Sequence, residues 1–257
     1  MERRTRLRRW LRIAVLVCAC AVARPLAAAV LDTPRHLEYR VAWNGIPAGR
    51  ATIDVTSGEE AGAPGYSIRA RALTNRFVDL FWRFRGDAST TLLAEPVAPL
   101  SFRYERRVNG TPTQTWIDFA PGSQRARGGY IKPTRRSEED IDATDLIDPI
   151  TAGFQALTAS ARVGDILSYR VFTGETHYRV RLIIRDEDTV EVPAGRFEAL
   201  RVEPEVIKIE DGERPDENMR RATIWVTRAP VRTLLRIRSE VFVGAITLDL
   251  VGVDRPG

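Results

Sequence analysis

Histidine and cysteine are where hydrolytic, redox and metal chemistry usually begins, and this chain of 257 residues has two of each: His36, His177, Cys18 and Cys20. A serine or cysteine nucleophile needs a nearby base, most often a histidine oriented by a carboxylate. Neither a Gly-x-Ser-x-Gly elbow nor a His-Glu-x-x-His zinc pair occurs. His177, within His177-Tyr178-Arg179-Val180, reads as a solvated residue on the polar face of a strand. No catalytic residue, metal site or cofactor is therefore assigned. Two carboxylates brought together from distant positions would make a polysaccharide hydrolase, but nothing singles out such a pair.

Three other groupings have chemical potential. The acidic run Glu138, Glu139, Asp140, Asp142, Asp145, Asp148 has the donors a hard cation prefers. It lacks the glycine-turned spacing of a calcium loop and reads as an exposed acidic loop facing Arg135 and Arg136. Arginines Arg40, Arg69, Arg71, Arg103, Arg179, Arg181, Arg236 and Arg238 recur on polar strand faces. Cross-strand pairing with Glu38, Glu105, Glu198 and Glu240 is expected there before anion binding, since Lys132 and Lys208 are the only lysines. The aromatic set Trp43, Phe77, Phe81, Trp82, Phe84, Tyr104 and Trp116 forms the candidate ligand-binding group. These rings would line or cover a concave apolar surface, against the simpler reading that they fill a core.

The elements that must position these residues are strands. Leu37, Tyr39, Val41 and Trp43 alternate with His36, Glu38, Arg40 and Ala42, the period of a half-buried strand. Similar rows follow at Ala51/Ile53/Val55, Tyr66/Ile68/Ala70, Phe102/Tyr104, Tyr178/Val180/Leu182/Ile184, Leu235/Ile237 and Ile246/Leu248/Leu250. Turn signals such as Asn44-Gly45, Asn109-Gly110 and Asp211-Gly212 separate them. About a dozen strands result, more than an open twisted sheet carries without curling. Two helices are expected. Phe77, Leu80, Phe81 and Phe84 have the spacing of one helical face, although Trp82-Arg83-Phe84-Arg85 could begin a strand. Pro149–Ser160 is clearer, with Asp148 as N-cap and Ile150, Phe154 and Leu157 as a stripe. Residues 121–148 show little periodicity and read as a polar connection. The repeated Pro-Ala-Gly-Arg, at 47–50 and 193–196, reads as one tight turn used twice. The fold class is all-β with minor α: a curled antiparallel sheet or incomplete β-barrel with one or two short helices.

Residues 1–29 read as an export signal, with a basic head, an apolar run from Trp10 to Ala23 and a small-residue exit before Val30, cut near Ala29. They hold seven arginines and one glutamate, so their removal takes the net charge from +5 to −1. That excludes a basic-protein argument for nucleic-acid binding. Both cysteines leave with the signal. Lipoprotein anchoring at Cys20 and a twin-arginine reading of Arg8-Arg9 are weaker alternatives. Residues 30–257 read as one β-rich periplasmic domain with no membrane-spanning segment.

Four stretches together resemble an exported bacterial family, domain of unknown function 3108. They are Leu37–Gly49, Asp145-Leu146-Ile147-Asp148-Pro149, Val192–Ala199 and the strand pair from Trp225 to Ile237. The resemblance spans about 36–253 and consists of turn and strand punctuation, without catalytic residues to carry over. It implies an envelope protein with a curled antiparallel sheet, and kinship with lipoprotein-carrier half-barrels that hold acyl chains under a helical lid. The polar 121–148 connection departs from that pattern.

The expectation is a non-enzymatic periplasmic protein binding a lipid or other hydrophobic small molecule in a concave sheet covered by the aromatic and helical segments. An interaction or assembly module with an envelope protein partner, and a carboxylate-dependent polysaccharide hydrolase, are the alternatives. An aliphatic cavity of about 300 Å³ or more would favour the carrier.

Overall fold

The computed structural model describes residues 34–209, 213–215, 221–228, 232–241 and 243–254. The expected export signal at 1–29 with Cys18 and Cys20, the turn at Asp211-Gly212, and Pro230 lie outside the described residues.

Among the described residues, sixteen strands make one sheet. The first eight form a continuous antiparallel meander: β1 (Arg35–Trp43), β2 (Ile46–Glu60), β3 (Ala63–Thr74), β4 (Phe84–Ala94), β5 (Val97–Val108), β6 (Thr111–Phe119), β7 (Arg125–Lys132) and β8 (Arg135–Asp142). A short helix, α1 (Arg76–Asp79), joins β3 to β4. After β9 (Leu146–Ile147) comes the longer helix α2 (Pro149–Thr158). The second wing follows as β10 (Ile166–Phe172), β11 (His177–Val192), β12 (Gly195–Ile209), β13 (Glu213–Pro215), β14 (Ala222–Thr227), β15 (Leu234–Glu240) and β16 (Ala245–Asp254). The wings meet where β1 pairs with β16, and the path runs from β8 at one edge to β9 at the other, with β13 beside β12. The sheet thus curls into a barrel whose β8–β9 seam is not sealed by strand pairing among the described residues.

The alternating rows account for the curl. Leu37, Tyr39, Ile53, Val55, Ile68, Leu92, Phe102 and Ile117 all turn inward and are buried. Asn44-Gly45 and Asn109-Gly110 form hairpin turns with both residues at positive φ (48° and 81°, 50° and 84°), the backbone that lets a two-residue turn follow the strand twist. Outward arginines pair across strands, as expected, but chiefly with aspartates: Arg69 with Asp87, Arg103 with Asp118, Arg236 with Asp249, and Arg181 with Glu205.

Five expectations are corrected. Residues 121–148 are not a featureless connection but contain β7 and β8. The inward face of β7 is Ala126, Gly128 and Tyr130, whose two small residues do not read as a strand face. At Gly128 a Cβ would lie 2.9 Å from the Trp116 carbonyl oxygen and 3.0 Å from the Phe172 ring, so the glycine admits the β10–β11 hairpin against β6 and β7. Glu138, Glu139, Asp140 and Asp142 of the acidic run therefore lie on an edge strand, with Glu138 2.5 Å from Arg127, while Asp145 sits in the following turn and Asp148 before the long helix. In β1 a bulge between Val41 and Ala42 breaks the row, burying Ala42 and turning Trp43 outward. Of the Phe77–Phe84 stripe only Arg76–Asp79 is helical, and Phe84 opens β4. The Pro-Ala-Gly-Arg repeats differ in use. The first lies inside β2 opposite that bulge, whereas Pro193-Ala194 forms the tip of the β11–β12 turn.

Candidate functional site

Helix α2 determines what is solid and what is hollow. Asp148 caps it as its position before Pro149 predicts, with Oδ1 accepting from the Ile150 and Thr151 amides at 2.9 and 3.0 Å. Its Oδ2 accepts from the hydroxyls of Thr151 (2.5 Å) and Thr90 on β4 (3.1 Å). The carboxyl is fully buried, and this burial pushes its pKa above the ordinary range despite the four donors. The helix is pinned to the first wing at that point.

One helical face carries Ile150, Phe154 and Leu157 into the main core, where Phe154 meets Tyr66 at 5.2 Å between ring centres. The other carries Pro149, Ala152, Gly153 and Ala156; Ala152 packs on Val171 of the opposite wall, and the rest of this small-residue face, with Leu157, borders open space. That wall is the concave face of the second wing. It presents Leu167, Tyr169 and Val171 from β10, and Tyr178, Val180, Leu182 and Ile184 from β11. Leu200, Val202, Pro204 and Val206 of β12 continue it, and Ile224 and Val226 of β14 complete it. Between helix and wall lies a partly open, predominantly apolar cavity of about 150 Å³. It follows α2 from Pro149 to Leu157, roughly 12 Å at 1.5 Å per residue.

Polar groups mark the two ends. Near the start of α2, Thr173, Glu175 and Thr176 of the β10–β11 turn face the space, and Glu175 pairs with Lys132. Near the helix end stands Arg232, 5 % exposed, donating to the carbonyls of Ala161 and, at 3.5 Å, Ala156. Burial lowers its pKa from the usual guanidinium value. Glu175 is the lone acidic residue lining the cavity among the described residues, so the carboxylate pair required of a hydrolase does not meet here. No group of three His, Cys, Asp or Glu side chains gathers at metal-binding distance among the described residues.

The seven aromatic candidates lie elsewhere, and none lines this cavity. Phe84 and Tyr104 are buried in the first wing on either side of Gly86, and Trp82 stacks on Phe84 at 5.8 Å. Phe77 and Phe81 meet edge-to-face at 5.5 Å on the exposed α1 segment. Trp43 is exposed at the β1–β2 turn, donating to the Val243 carbonyl at 2.8 Å, and Trp116 lies half-buried on β6. His177 is half-buried and stacks on Phe172 at 4.3 Å rather than standing free in solvent. Sequence reading missed the aliphatic lining because it weighed rings above alternating Val, Leu and Ile. The available signal was the small-residue face Ala152, Gly153, Ala156.

A sequence profile for proteins of unknown function, DUF3108, matches residues 38–251. No curated protein matches the chain. Among solved structures, a β-barrel-like protein of domain of unknown function DUF1849 from Brucella abortus aligns with a TM-score of 0.59 at 13 % identity. That alignment covers 91 % of this chain and 100 % of that one, and establishes the fold alone. A protein provisionally named a lipoprotein from Parabacteroides distasonis aligns over 91 % of this chain and 99 % of its own, with 9 % identity and a TM-score of 0.33. One provisionally named an exported protein with a YmcC-like fold, from Bacteroides fragilis, gives 10 % identity and a TM-score of 0.34 over 92 % and 100 %. Neither of these two bears on function. No helix among the described residues is long and apolar enough to cross a membrane.

Proposed function

We propose that this chain, which belongs to the DUF3108 family, is an exported, single-domain periplasmic protein that binds a hydrophobic ligand in the cavity between α2 and the second wing. The supporting observation is the cavity itself. Protein interiors pack like organic crystals, and here about 150 Å³ of predominantly apolar space is left unfilled by side chains. A sheet that needed only stability would close that space with larger residues at Ala152 and Ala156. The location rests on the signal-like residues 1–29.

The cavity's size defines the ligand. At half the 300 Å³ set above for a carrier, it matches the roughly 150 Å³ cavities that admit benzene. It takes a short apolar segment, such as part of one acyl chain, and leaves the remainder at the open side. Each buried methylene contributes about 0.8 kcal/mol. The test is titration of the purified protein with a fluorescent acyl probe, beside Ala156→Leu, which fills the space from the helix side. Saturable binding that weakens at least tenfold in the variant is the expected result. Absence of saturable binding by the wild-type protein, or equal binding by a folded Ala156→Leu, overturns the reading.

A further inference from the structure

We propose that Arg232 receives the oxyanion head of a single-chain amphiphile whose tail lies in the cavity along α2; this rests on the cavity reading above. The side chain is 5 % exposed and borders a space whose other walls are overwhelmingly apolar. A guanidinium offers five N–H donors in a planar fork, and here Nη1 and Nη2 reach only two neutral carbonyls, those of Ala156 and Ala161. No carboxylate among the described residues lies within ion-pair distance of it. Asp165, which favours the charged form from farther away, is itself exposed. A buried cation left without a counter-ion costs several kcal/mol, and burial lowers its pKa accordingly.

Capping the end of α2 accounts for the two carbonyl bonds, since cations favour helix C-termini. It does not account for a buried arginine facing a cavity with donors to spare. Arginine matches carboxylate and phosphate geometry with two parallel bonds, so either head suits the site, while a neutral head leaves the charge uncompensated. The resulting order along the helix is head at Ala156–Ala161, tail toward Pro149.

The experiment compares decanoate, decyl phosphate and decanol as competitors of the acyl probe at neutral pH, on the wild-type protein and on Arg232→Gln and Arg232→Lys. Expected is at least a tenfold preference of the wild type for one or both anionic heads over decanol. That preference disappears in Arg232→Gln and survives in part in Arg232→Lys, while decanol affinity stays within about threefold. Whichever of decanoate and decyl phosphate competes better identifies the head. Equal affinity for all three in the wild type overturns the proposal, as does an unchanged preference in Arg232→Gln. Should Arg232→Gln not fold, the wild-type comparison with Arg232→Lys decides. If decanol and the anions alike fail to compete and the probe itself does not bind, the cavity reading has failed rather than the assignment of Arg232.

A second inference stands on a separate observation: one end of the barrel is apolar and exposed, and we infer that it docks on an anionic bilayer surface. Leu80 is 81 % exposed, Phe77 61 % and Phe81 60 %, with Ile46, Val243 and Trp43 exposed nearby. Hydrogen bonds unite these turns, from Asn75 to Pro47 (2.7 Å) and from Trp43 to Val243 (2.8 Å). Asp79 accepts from Thr74 and Arg85, which holds its carboxyl down at about 2 and fixes the shape of α1. The exposed Arg76 and Arg107 have no carboxylate within ion-pair distance among the described residues, which gives this end charge complementarity to acidic lipid. Exposed rings beside arginines are the composition of an interfacial anchor. The protein is expected to sediment with phosphatidylglycerol-containing vesicles, weakly with phosphatidylcholine vesicles, and at least tenfold less after combined Phe77→Ala, Leu80→Ala and Phe81→Ala. A wild-type protein that stays in the supernatant with both, or a triple variant that sediments equally, overturns this inference.

Discussion

The two wings of this barrel are built from the same alternating rows, yet one is filled and the other is hollow. Strands β1–β8 receive Ile150, Phe154 and Leu157 from α2, and the space closes. Strands β10–β14 meet Ala152, Gly153 and Ala156 of the same helix; Ala152 packs on Val171, and a cavity remains beside it. Curvature alone therefore does not make a cavity in this fold. The distribution of side-chain volume around one ten-residue helix does.

The strongest way to break that comparison is Phe154→Ala. Removing a buried phenylalanine from the filled side should lower stability by about 3–5 kcal/mol, measured by urea unfolding, with acyl-probe affinity of the folded protein changed by less than about threefold. A loss below about 1 kcal/mol would mean that the first wing is not packed as described.

A sharper test is the pin that holds α2 to the filled side. Asp148→Ala should cost about 1–3 kcal/mol, because two helix amides and the Thr90 and Thr151 hydroxyls lose their acceptor. Asp148→Asn keeps an acceptor oxygen for the amides and should cost less. The sign of the pH effect follows from the raised pKa. The folded state binds the proton more tightly than the unfolded state, so wild-type stability is greatest when Asp148 is protonated. It falls as pH rises from the unfolded value of 3.8 through the raised folded value. The Asn variant should lack that component when unfolding is followed from pH 4 to 8.

The smallest effect belongs to the first strand pair of the filled wing. His36 on β1 lies 2.6 Å from Asp54, and that bond raises the imidazole pKa above 6.5. Its contribution is present below pH 6.5 and lost as pH rises through the raised folded value. His36→Gln should therefore lower the melting temperature slightly at pH 5.5 and leave it unchanged at pH 8.5.

Much of the frame was legible in the chain. Asn44-Gly45 and Asn109-Gly110 specify tight turns, and Asp148-Pro149 specifies a helix start, because each is local chemistry. The β7 strand was not, since Gly128 is selected by the approach of Phe172 from a distant hairpin rather than by strand propensity. The bulge that turns Trp43 outward likewise depends on pairing with β2. The cavity escaped notice because an inward valine on β11 looks the same in sequence whether it meets a phenylalanine or open space. Only Ala152, Gly153 and Ala156, read as a face, could have distinguished them. Arg232 carried no local signal at all.

The pairing of β1 with β16 has a consequence for assembly. His36 stands opposite Asp254, so the strand that joins the wings is made after every other strand of the sheet. The first eight strands zip sequentially through neighbouring hairpins, whereas the final seam must find a partner more than two hundred positions upstream, the kind of distant contact that slows folding. Until then the early meander exposes β1 as a raw edge, open to pairing with other chains. Among the described residues, the stitch that joins the wings is thus also the last strand supplied.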